Sequence, residues 1–457
     1  MAVDASQAPA TFDPTAFKQF RFLARELDAR GHVTLRYALD EEAYFVEEFD
    51  LPIEGELSPA QRESVDGLLS LLHWVAGVSN IKTAAPPLIA CETGPPPPAV
   101  AALLEALYSE GLGEFAYSSG LSALPRPSFP TGPALGDRAR ASGQAPTRAL
   151  VPIGGGKDSA VALEIIRRSG CELELFSIGE AAPIARTVAA AGLSHLLARR
   201  RLDPGLAALN RAGALNGHIP ITAIVSCAAL LSAALNGFDA VVMANERSAS
   251  AGNISWDGVE VNHQFSKGLR AERLLSAAVA EVAPELQVFS ILRPASELAI
   301  ARAFARMDAY HAAFTSCNAI FRTDPALRAA SWCCDCPKCR FVFLALAPFS
   351  SPEHLREVFG RDLLEDESQL EGFALLTATG GHKPFECVGE ESESLAAIRL
   401  LADDQRWAGH RVVRGLVREV LEPAAPGAGD PREVLTLSDE HDVPAALMAD
   451  VRAILGA

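Results

Sequence analysis

The pattern of apolar and polar residues divides the chain into three stretches with different predicted structures. In the first stretch, two apolar runs, His32 to Leu39 and Tyr44 to Leu51, flank a short polar segment and predict a β-hairpin. From Ser58 to Gly77, apolar residues recur at three- and four-residue spacing, which predicts a helix. Residues 123–146 are rich in proline and glycine without a periodic apolar face, so we expect a linker or a long loop there.

The second stretch alternates between predicted strands and helices. The predicted strands are Ala149 to Ile153, Leu173 to Ile178, Leu196 to Leu202 and Asp239 to Met243, and the helices are Ser159 to Arg168, Pro183 to Gly192 and Pro220 to Leu235. This alternation is typical of a mostly parallel sheet with helices on both faces. Since Pro152 has no backbone N–H to donate, we expect it at the end of its strand.

The third stretch, after about residue 346, is predicted to be mainly helical. It carries acidic runs at residues 365–367 and 390–393, which we interpret as solvated faces. The predicted fold class is α/β, with a doubly wound, mostly parallel sheet. The expected domains are an N-terminal α+β domain over residues 1–146, a sheet domain over 147–345 and a C-terminal helical region over 346–457.

Composition and charge narrow the classes of partner. The chain has 457 residues, of which 49% are apolar, so it can bury the cores of two or three domains. Its net charge of −17 opposes binding to a long polyanion, and we expect no nucleic-acid partner. The N-terminus lacks the features of a secretory signal, and the longest apolar stretch, Ala223 to Leu235, is shorter than the about 18 residues of a spanning helix. We therefore expect a cytoplasmic protein without a membrane partner.

A glycine-rich segment, VPIGGGKDS at residues 151–159, follows the first predicted strand of the alternating stretch. Glycines leave backbone N–H groups accessible, and the positive end of the following helix dipole favours an anion. Lys157 and the hydroxyl of Ser159 supply further donors, so the combination suits a phosphate group. The spacing matches neither the P-loop of common nucleotidases nor the dinucleotide fingerprint.

Five cysteines lie between residues 317 and 339. Cys333, Cys336 and Cys339 occur at two-residue gaps, and Cys317 lies upstream as a fourth thiolate. Four sulfurs are a frequent ligand set for structural zinc, and free buried thiols are the alternative. Cys334 is either the odd one out or an alternative ligand.

The glycine segment resembles the Ser-Gly-Gly-x-Asp-Ser pyrophosphate loop of the ATP pyrophosphatase (PP-loop) superfamily, with Gly154 in place of the first serine. This resemblance implies an adenine nucleotide alpha hydrolase-like fold and an enzyme that cleaves ATP to AMP and pyrophosphate. It also implies that Asp158 helps to place Mg²⁺. The ATP-binding residues implied are Gly154, Gly155, Gly156, Lys157, Asp158 and Ser159. A similar cysteine element binds structural zinc in the 7-cyano-7-deazaguanine synthases of this superfamily.

Further stretches resemble one family within that superfamily. They are GHIP (217–220), NERSAS (245–250), GN (252–253), VNHQFSK (261–267), RPASELAIARAF (293–304), CPKCRFVFLALAPF (336–349) and GHKPFECVGE (381–390). Together they are similar to the ATP-dependent epimerases of UDP-N-acetyl-α-D-muramoyl-L-alanyl-L-glutamate, a peptidoglycan precursor. The resemblance implies inversion of the terminal glutamate through an acyl-adenylate, with release of AMP and pyrophosphate.

Residue roles follow from this resemblance and from residue chemistry. Asp158 and Lys157 are the catalytic candidates in the loop, and His263 and Cys387 are candidate acids or bases, as are Lys267 and His382. The predicted substrate-binding residues are Asn245, Glu246, Arg247 and Lys267. Two other functions are open at this point: a nucleobase- or RNA-modifying enzyme similar to the deazaguanine synthases, and a non-catalytic ATP-sensing protein.

Overall fold

The chain folds around one large mixed sheet in a computed structural model that describes residues 11–53, 55, 57–135, 143–321, 328–381 and 383–456. His382 and part of the expected linker lie outside these residues. The strands are β1 (Gln19–Leu27), β2 (His32–Leu39), β3 (Ala43–Asp50), β4 (Leu88–Cys91), β5 (Arg148–Pro152), β6 (Glu172–Ile178), β7 (His195–Arg201), β8 (Ala240–Met243), β9 (Ile254–Trp256), β10 (Val259–Val261) and β11 (Gln287–Ser290).

Nine of these strands form the sheet, in the order β11-β8-β5-β6-β7-β3-β2-β1-β4. The five strands β11, β8, β5, β6 and β7 are parallel to one another. β3 pairs antiparallel with both β7 and β2, β2 pairs antiparallel with β1, and β4 joins β1 in parallel. The sheet is therefore mixed but mostly parallel, as predicted, and strands from both sides of residue 146 belong to it.

Helices cover the sheet on both faces. They are α1 (Pro59–Ala76), α2 (Val78–Ile81), α3 (Pro98–Tyr108), α4 (Gly113–Ser118), α5 (Lys157–Ser169), α6 (Ala182–Ala191), α7 (Gly205–Ala212), α8 (Ile221–Asn236), α9 (Leu269–Val282), α10 (Glu297–Phe304), α11 (Asp308–His311), α12 (Pro337–Leu346), α13 (Pro352–Phe359), α14 (Leu370–Ala374), α15 (Glu391–Asp403), α16 (Arg411–Leu416), α17 (Pro431–Val434) and α18 (Met448–Leu455). In the described part of the chain, every helix is too short or too polar to span a lipid bilayer.

The sheet separates two hydrophobic cores. Leu150 of β5 belongs to the core that contains α1 and α8, whereas Ala149 and Val151 belong to the core that contains α5 and α10. Successive side chains of a strand point to opposite faces, so a strand covered on both faces is apolar throughout. This explains why the short run before the glycine segment reads as continuously apolar.

Local sequence signals account for most of the predicted elements. The hairpin is confirmed, because β2 pairs with β3 from His32 opposite Asp50 to Leu39 opposite Ala43. The helix predicted after Ser58 is also confirmed. The hydroxyl of Ser58 accepts the Gln61 N–H at 3.3 Å, while the Gln61 side chain accepts the Ser58 N–H at 2.9 Å. Pro152 is the last residue of β5, as expected.

Two predictions differ from the structure. The helix predicted from Ser159 begins at Lys157, because the extended backbone of Gly156 provides its N-cap. The acidic run at residues 390–393 is not wholly solvated, because Glu393 is only 2% exposed. Its carboxylate accepts hydrogen bonds from the Ser248 hydroxyl at 2.5 Å and from the Glu297 N–H at 2.8 Å. Residues 347–456 are otherwise mainly helical, as predicted. The three domain boundaries stay a prediction.

A buried ion pair joins the parallel and antiparallel parts of the sheet. Nε of Arg200 in β7 lies 2.7 Å from Oε1 of Glu47 in β3, and its Nη2 donates to the Ser79 hydroxyl at 2.6 Å. The side chain of Glu47 is 1% exposed, and burial raises the pKa of its carboxyl while the charge of Arg200 opposes that rise. Glu47 therefore depends on Arg200 to stay charged at this seam.

Replacing Arg200 with alanine should lower the free energy of unfolding by about 3 kcal/mol, because it leaves a buried carboxylate without its partner. Chemical denaturation of both proteins measures this difference. Arg199→Ala is the matched control, since Arg199 is 60% exposed and its contact with Glu180 is at the surface. We expect that control to change stability by less than about 1 kcal/mol. Equal losses in the two variants would show that the seam does not depend on this pair.

Candidate functional site

The glycine segment forms a tight turn between β5 and α5, at the carboxyl edge of the parallel strands. Gly155 has a φ of +77°, and an added Cβ would lie 2.6 Å from the backbone carbon of Pro183. An added Cβ at Gly156 would lie 2.8 Å from the Ser316 hydroxyl, whereas Gly154 has open space around it. The Thr315 N–H donates to the carbonyl of Gly155 at 2.9 Å and fixes the turn. The turn requires glycine at position 155, and Gly154 leaves the backbone open to a ligand.

Lys157 lies beneath this turn rather than in open solvent. Its side chain is 1% exposed, and its ammonium group contacts the carboxylates of Asp158 and Glu297. Burial alone would lower the pKa of Lys157, but the two carboxylates raise it above its ordinary value. Lys157 is therefore charged and holds Asp158 at the start of α5. The hydroxyl of Ser159 donates back to the Gly156 carbonyl at 3.1 Å.

A cavity of about 370 Å³ lies next to the turn. This volume falls within the range of about 300–1,000 Å³ that is usual for small-molecule sites. Its lining comes from nine separate segments of the chain. The polar residues in it are Asp158, Ser159, Ser177, Asn245, Lys267, Thr315, Ser316, Asn318, Lys338 and Cys387. The predicted loop residues Gly154 and Gly156 line it as well. The sheet thus brings the glycine turn, two lysines and a thiol to one place.

Cys387 is held in this cavity by positive groups. Its Sγ lies 3.4 Å from Nζ of Lys267 and hydrogen-bonds the His263 imidazole. Burial would raise the pKa of Cys387, but the charge of Lys267 and the hydrogen bond to His263 lower it to about 6. The same interaction raises the pKa of Lys267. At neutral pH, Cys387 is therefore mostly a thiolate.

His263 connects Cys387 to a carboxylate. Nδ1 of His263 contacts the carboxylate of Glu114 in α4, and the ring of His218 lies 4.3 Å from the His263 ring. Burial alone would lower the pKa of His263, but its hydrogen bonds to Cys387 and Glu114 raise it to about 9. Burial lowers the pKa of His218 to about 4, so that ring is neutral. The result is an imidazolium between a thiolate and a carboxylate.

The structure separates the predicted substrate-binding residues. Asn245 lines the cavity, and its side-chain amide donates to the Ser290 hydroxyl at 3.1 Å. Glu246 is buried near Lys267, and its carbonyl accepts a hydrogen bond from Arg293. The guanidinium of Arg247 instead donates to the carbonyls of residues 434 and 436, at 3.2 and 3.1 Å. Arg247 thus contacts the C-terminal region and does not line this cavity.

The four predicted metal ligands lie together. The Sγ atoms of Cys317, Cys333, Cys336 and Cys339 are all within 4.8 Å of one another. Two backbone N–H groups donate to these sulfurs at 3.4 Å, from Cys333 to Cys317 and from Cys339 to Cys336. Cys334 is outside the group, because its thiol donates to the carbonyl of Phe359 at 3.3 Å. Of the two roles open for Cys334, the structure supports the odd one out.

Several residues at the site were not identified from the sequence. Glu297 and Lys338 lie inside quoted stretches, at residues 293–304 and 336–349, but no spacing rule marks them as partners. Nζ of Lys338 lies 3.7 Å from Oε1 of Glu297, so this carboxylate links α10, α12 and Lys157. Glu114 carries no sequence signal at all, since it reaches His263 only through the folding of α4 against the turn after β10.

The fold and the cavity define a class of protein. It is an α/β protein with a glycine turn at the carboxyl edge of its parallel strands, where such folds bind their ligands. The cavity beside the turn holds an anionic sulfur and two ammonium groups within reach of one ligand, and the imidazolium of His263 hydrogen-bonds that sulfur from outside the lining. This combination is typical of an enzyme that acts on an anionic substrate.

Comparison with known proteins identifies the family. The MurL N-terminal domain matches residues 11–291 and the MurL C-terminal domain matches residues 313–430. Proteins named UDP-N-acetyl-alpha-D-muramoyl-L-alanyl-L-glutamate epimerase are similar over nearly the whole chain. The protein of a Micromonospora species is 47% identical over 93% of this chain and 96% of its own length. That of Salinispora tropica is 47% identical over 89% of each chain, and that of Xanthomonas oryzae pv. oryzae is 42% identical over 97% and 99%. The chain belongs to this epimerase family, which confirms the resemblance inferred from its sequence.

Replacing Lys267 with methionine should raise the pKa of Cys387 from about 6 toward that of an ordinary thiol, because the nearest positive charge is removed. At pH 7, alkylation of Cys387 by iodoacetamide should then slow by at least about tenfold. Peptide mass spectrometry at a series of pH values measures the rate for this cysteine alone. Lys18→Met, which removes an exposed lysine, is the control and should leave the rate unchanged. An unchanged pH midpoint in the Lys267 variant contradicts this account of the thiolate.

Proposed function

We propose that this chain inverts the α-carbon of the terminal L-glutamate in UDP-N-acetyl-α-D-muramoyl-L-alanyl-L-glutamate, and that it spends ATP to do so. The substrate and the inversion are those in the names of its relatives. The observation that carries the proposal is a single cavity in which a glycine turn suited to phosphate lies beside a cluster suited to proton transfer. The fold that we propose for the sheet domain is that of the PP-loop ATPases.

The need for ATP follows from the acidity of the substrate. The α-hydrogen of a terminal glutamate is hard to remove, because the adjacent carboxylate is already negative and the carbanion would add a second charge. Attack of the α-carboxylate on the α-phosphorus of ATP forms an acyl-adenylate and releases pyrophosphate. The carbonyl of this anhydride accepts the developing charge as an enolate when the α-proton leaves. Hydrolysis after inversion yields the D-glutamyl product and AMP.

Each loop residue has a separate proposed role in binding ATP. Gly154, Gly156 and Ser159 line the space that the phosphates would occupy, Gly155 shapes the turn between them, and the dipole of α5 favours the phosphate charge. The pKa of Asp158 is lowered despite burial, chiefly by Lys157, so Asp158 is ionised and faces the cavity. Mg²⁺, when bound, neutralises phosphate charge during the transfer. Lys157 contributes by positioning Asp158.

The groups for proton transfer are His263, Lys267 and Cys387. All three are partly buried in one cluster, and the carboxylate of Glu114 balances the second positive charge, so small changes in charge move protons among them. Lys338 and Lys267 also favour an anionic group in the cavity, such as the carboxylates of the glutamate. An enolate formed here is stabilised by these ammonium groups.

The decisive assay incubates the chain with ATP, Mg²⁺ and the L-glutamyl precursor. We expect D-glutamate in the recovered nucleotide, together with AMP and pyrophosphate in equal amounts. Asp158→Asn should reduce AMP formation by at least about a hundredfold, because it removes the carboxylate that faces the phosphates. Asp308→Asn is a matched control, since the Asp308 carboxylate is 95% exposed and should not affect turnover.

Each rival function gives a different result in that assay. A nucleotide sensor forms neither AMP nor D-glutamate. A nucleobase-modifying enzyme leaves the L-glutamyl precursor unchanged. Production of ADP with phosphate, or full activity in Asp158→Asn, contradicts the proposed role of the loop.

We also propose that the four clustered cysteines bind one structural zinc ion. In tetrahedral coordination with Zn–S bonds of about 2.3 Å, sulfurs lie about 3.8 Å apart. The Sγ atoms of Cys333 and Cys339 are 3.7 Å apart, which fits that geometry. The N–H groups that donate to Cys317 and Cys336 favour thiolate ligands. The ion would tie the start of α12, which carries Lys338, to the segment that holds Ser316.

Purified protein should contain about one zinc ion per chain, and Cys339→Ser should lose it and lower the melting temperature. Elemental analysis and thermal denaturation measure the two effects. Cys334→Ser is the control, because it removes a neighbouring buried thiol that is outside the ligand group. The Cys334→Ser variant should keep its zinc even if its melting temperature is lower. A native, active preparation without metal contradicts the site.

A further inference from the structure

We propose that Cys387 takes the glutamyl group from AMP and carries it as a thioester while the α-carbon is inverted. This inference rests on the proposed function, and it gives Cys387 the role of a nucleophile in place of an acid or base. It assigns the proton transfers to the nitrogen groups around the sulfur.

The location of Cys387 brings it to the activated carbonyl. The residue lines the same cavity as Gly154, Gly156 and Asp158, and it enters from the opposite segment, just before α15. An acyl group joined to the α-phosphate of a nucleotide at the turn would project into the space between them. Among the described cysteines, Cys387 alone lines this cavity.

The surroundings of Cys387 match those of an activated nucleophile. Such a site needs a base within hydrogen-bond reach of the nucleophile and a third group that orients the base. His263 hydrogen-bonds Cys387, and Glu114 accepts from Nδ1 of His263. The ammonium group of Lys267, 3.4 Å from the sulfur, further stabilises the thiolate. A cysteine that served only for packing would not require both an ammonium group and an imidazole as partners.

Each step balances in atoms and charge. The thiolate attacks the acyl carbon, a C–S bond forms, and the C–O bond to AMP breaks with AMP leaving as an anion. One proton passes from the α-carbon to a neutral nitrogen of the His263–Lys267 pair, and the other nitrogen group returns one on the opposite face. Water then attacks the thioester, its oxygen joins the acyl carbon, and the C–S bond breaks to restore the thiolate. The product leaves as a carboxylate, so this hydrolysis releases two protons. The sum is consumption of ATP and water and formation of AMP, pyrophosphate and the D-epimer.

A thioester has two advantages for the inversion. Its carbonyl is less stabilised by resonance than that of an oxygen ester, so its α-hydrogen is more acidic, and AMP can leave before the proton is moved. Acylation also removes the negative charge of the sulfur. The pKa values of His263 and Lys267 depend on that charge, so both nitrogens then release protons more readily. Formation of the thioester thus prepares the groups that transfer the proton.

The test uses the full chain with ATP, Mg²⁺ and precursor that carries [¹⁴C]glutamate. The reaction is stopped with acid at times within the first turnover, and the denatured protein is separated from small molecules. We expect label on the protein that neutral hydroxylamine releases, and peptide mass spectrometry should locate it on Cys387. A noncovalent acyl-adenylate leaves the denatured protein with the small molecules, so it cannot give the same signal.

Two variants complete the test. Cys387→Ala should form no labelled protein and should lose D-glutamate formation by at least about a thousandfold. Cys171→Ser is the matched thiol control, because Cys171 lies outside the cavity and should keep both signals. AMP and D-glutamate formation without label at any time overturns the thioester but leaves the proposed function intact. Label on another residue also overturns it. A chain that forms neither AMP nor D-glutamate overturns both.

Discussion

The structure of the site depends on one buried cation, the ammonium group of Lys157. A charge without water is stable only when it is paired, and Lys157 pairs with Asp158 beside it and with Glu297 at the start of α10. Glu297 in turn faces Lys338 of α12. The glycine turn, α5, α10 and α12 are therefore tied to one charged centre. Loss of Lys157 would leave the carboxylates of Asp158 and Glu297 without their shared partner and would release the turn from α10.

The same principle explains how an acidic protein can hold a site for anions. The net charge is −17, yet Lys267 and Lys338 line the cavity, and the imidazolium of His263 lies behind Cys387. Inside the protein, local charges interact more strongly than in water, so the composition of the surface does not determine the charge of the cavity. The thiolate of Cys387 balances part of this positive charge. The positive charge that Cys387 does not balance would attract an incoming carboxylate or phosphate.

Sequence reasoning was most successful where the signal is local. The hairpin of β2 and β3, the capped helix α1 and the strand and helix around the glycine turn were all predicted within about two residues, because spacing, caps and glycines determine them. The four clustered cysteines were also found from their spacing. β11 was not predicted, since it is only four residues long and is identified by its pairing with β8.

The sequence by itself determined the family, the α/β class and the position of the glycine turn, because each depends on residues close together in the chain or on a shared set of motifs. Only the tertiary structure decided that Glu114 meets His263 and Lys267 meets Cys387, that Glu297 pairs with Lys157, and that Arg247 contacts the C-terminal region instead of the cavity. These pairings join residues more than a hundred positions apart. Burial and charge balance select them, and neither can be read from local spacing.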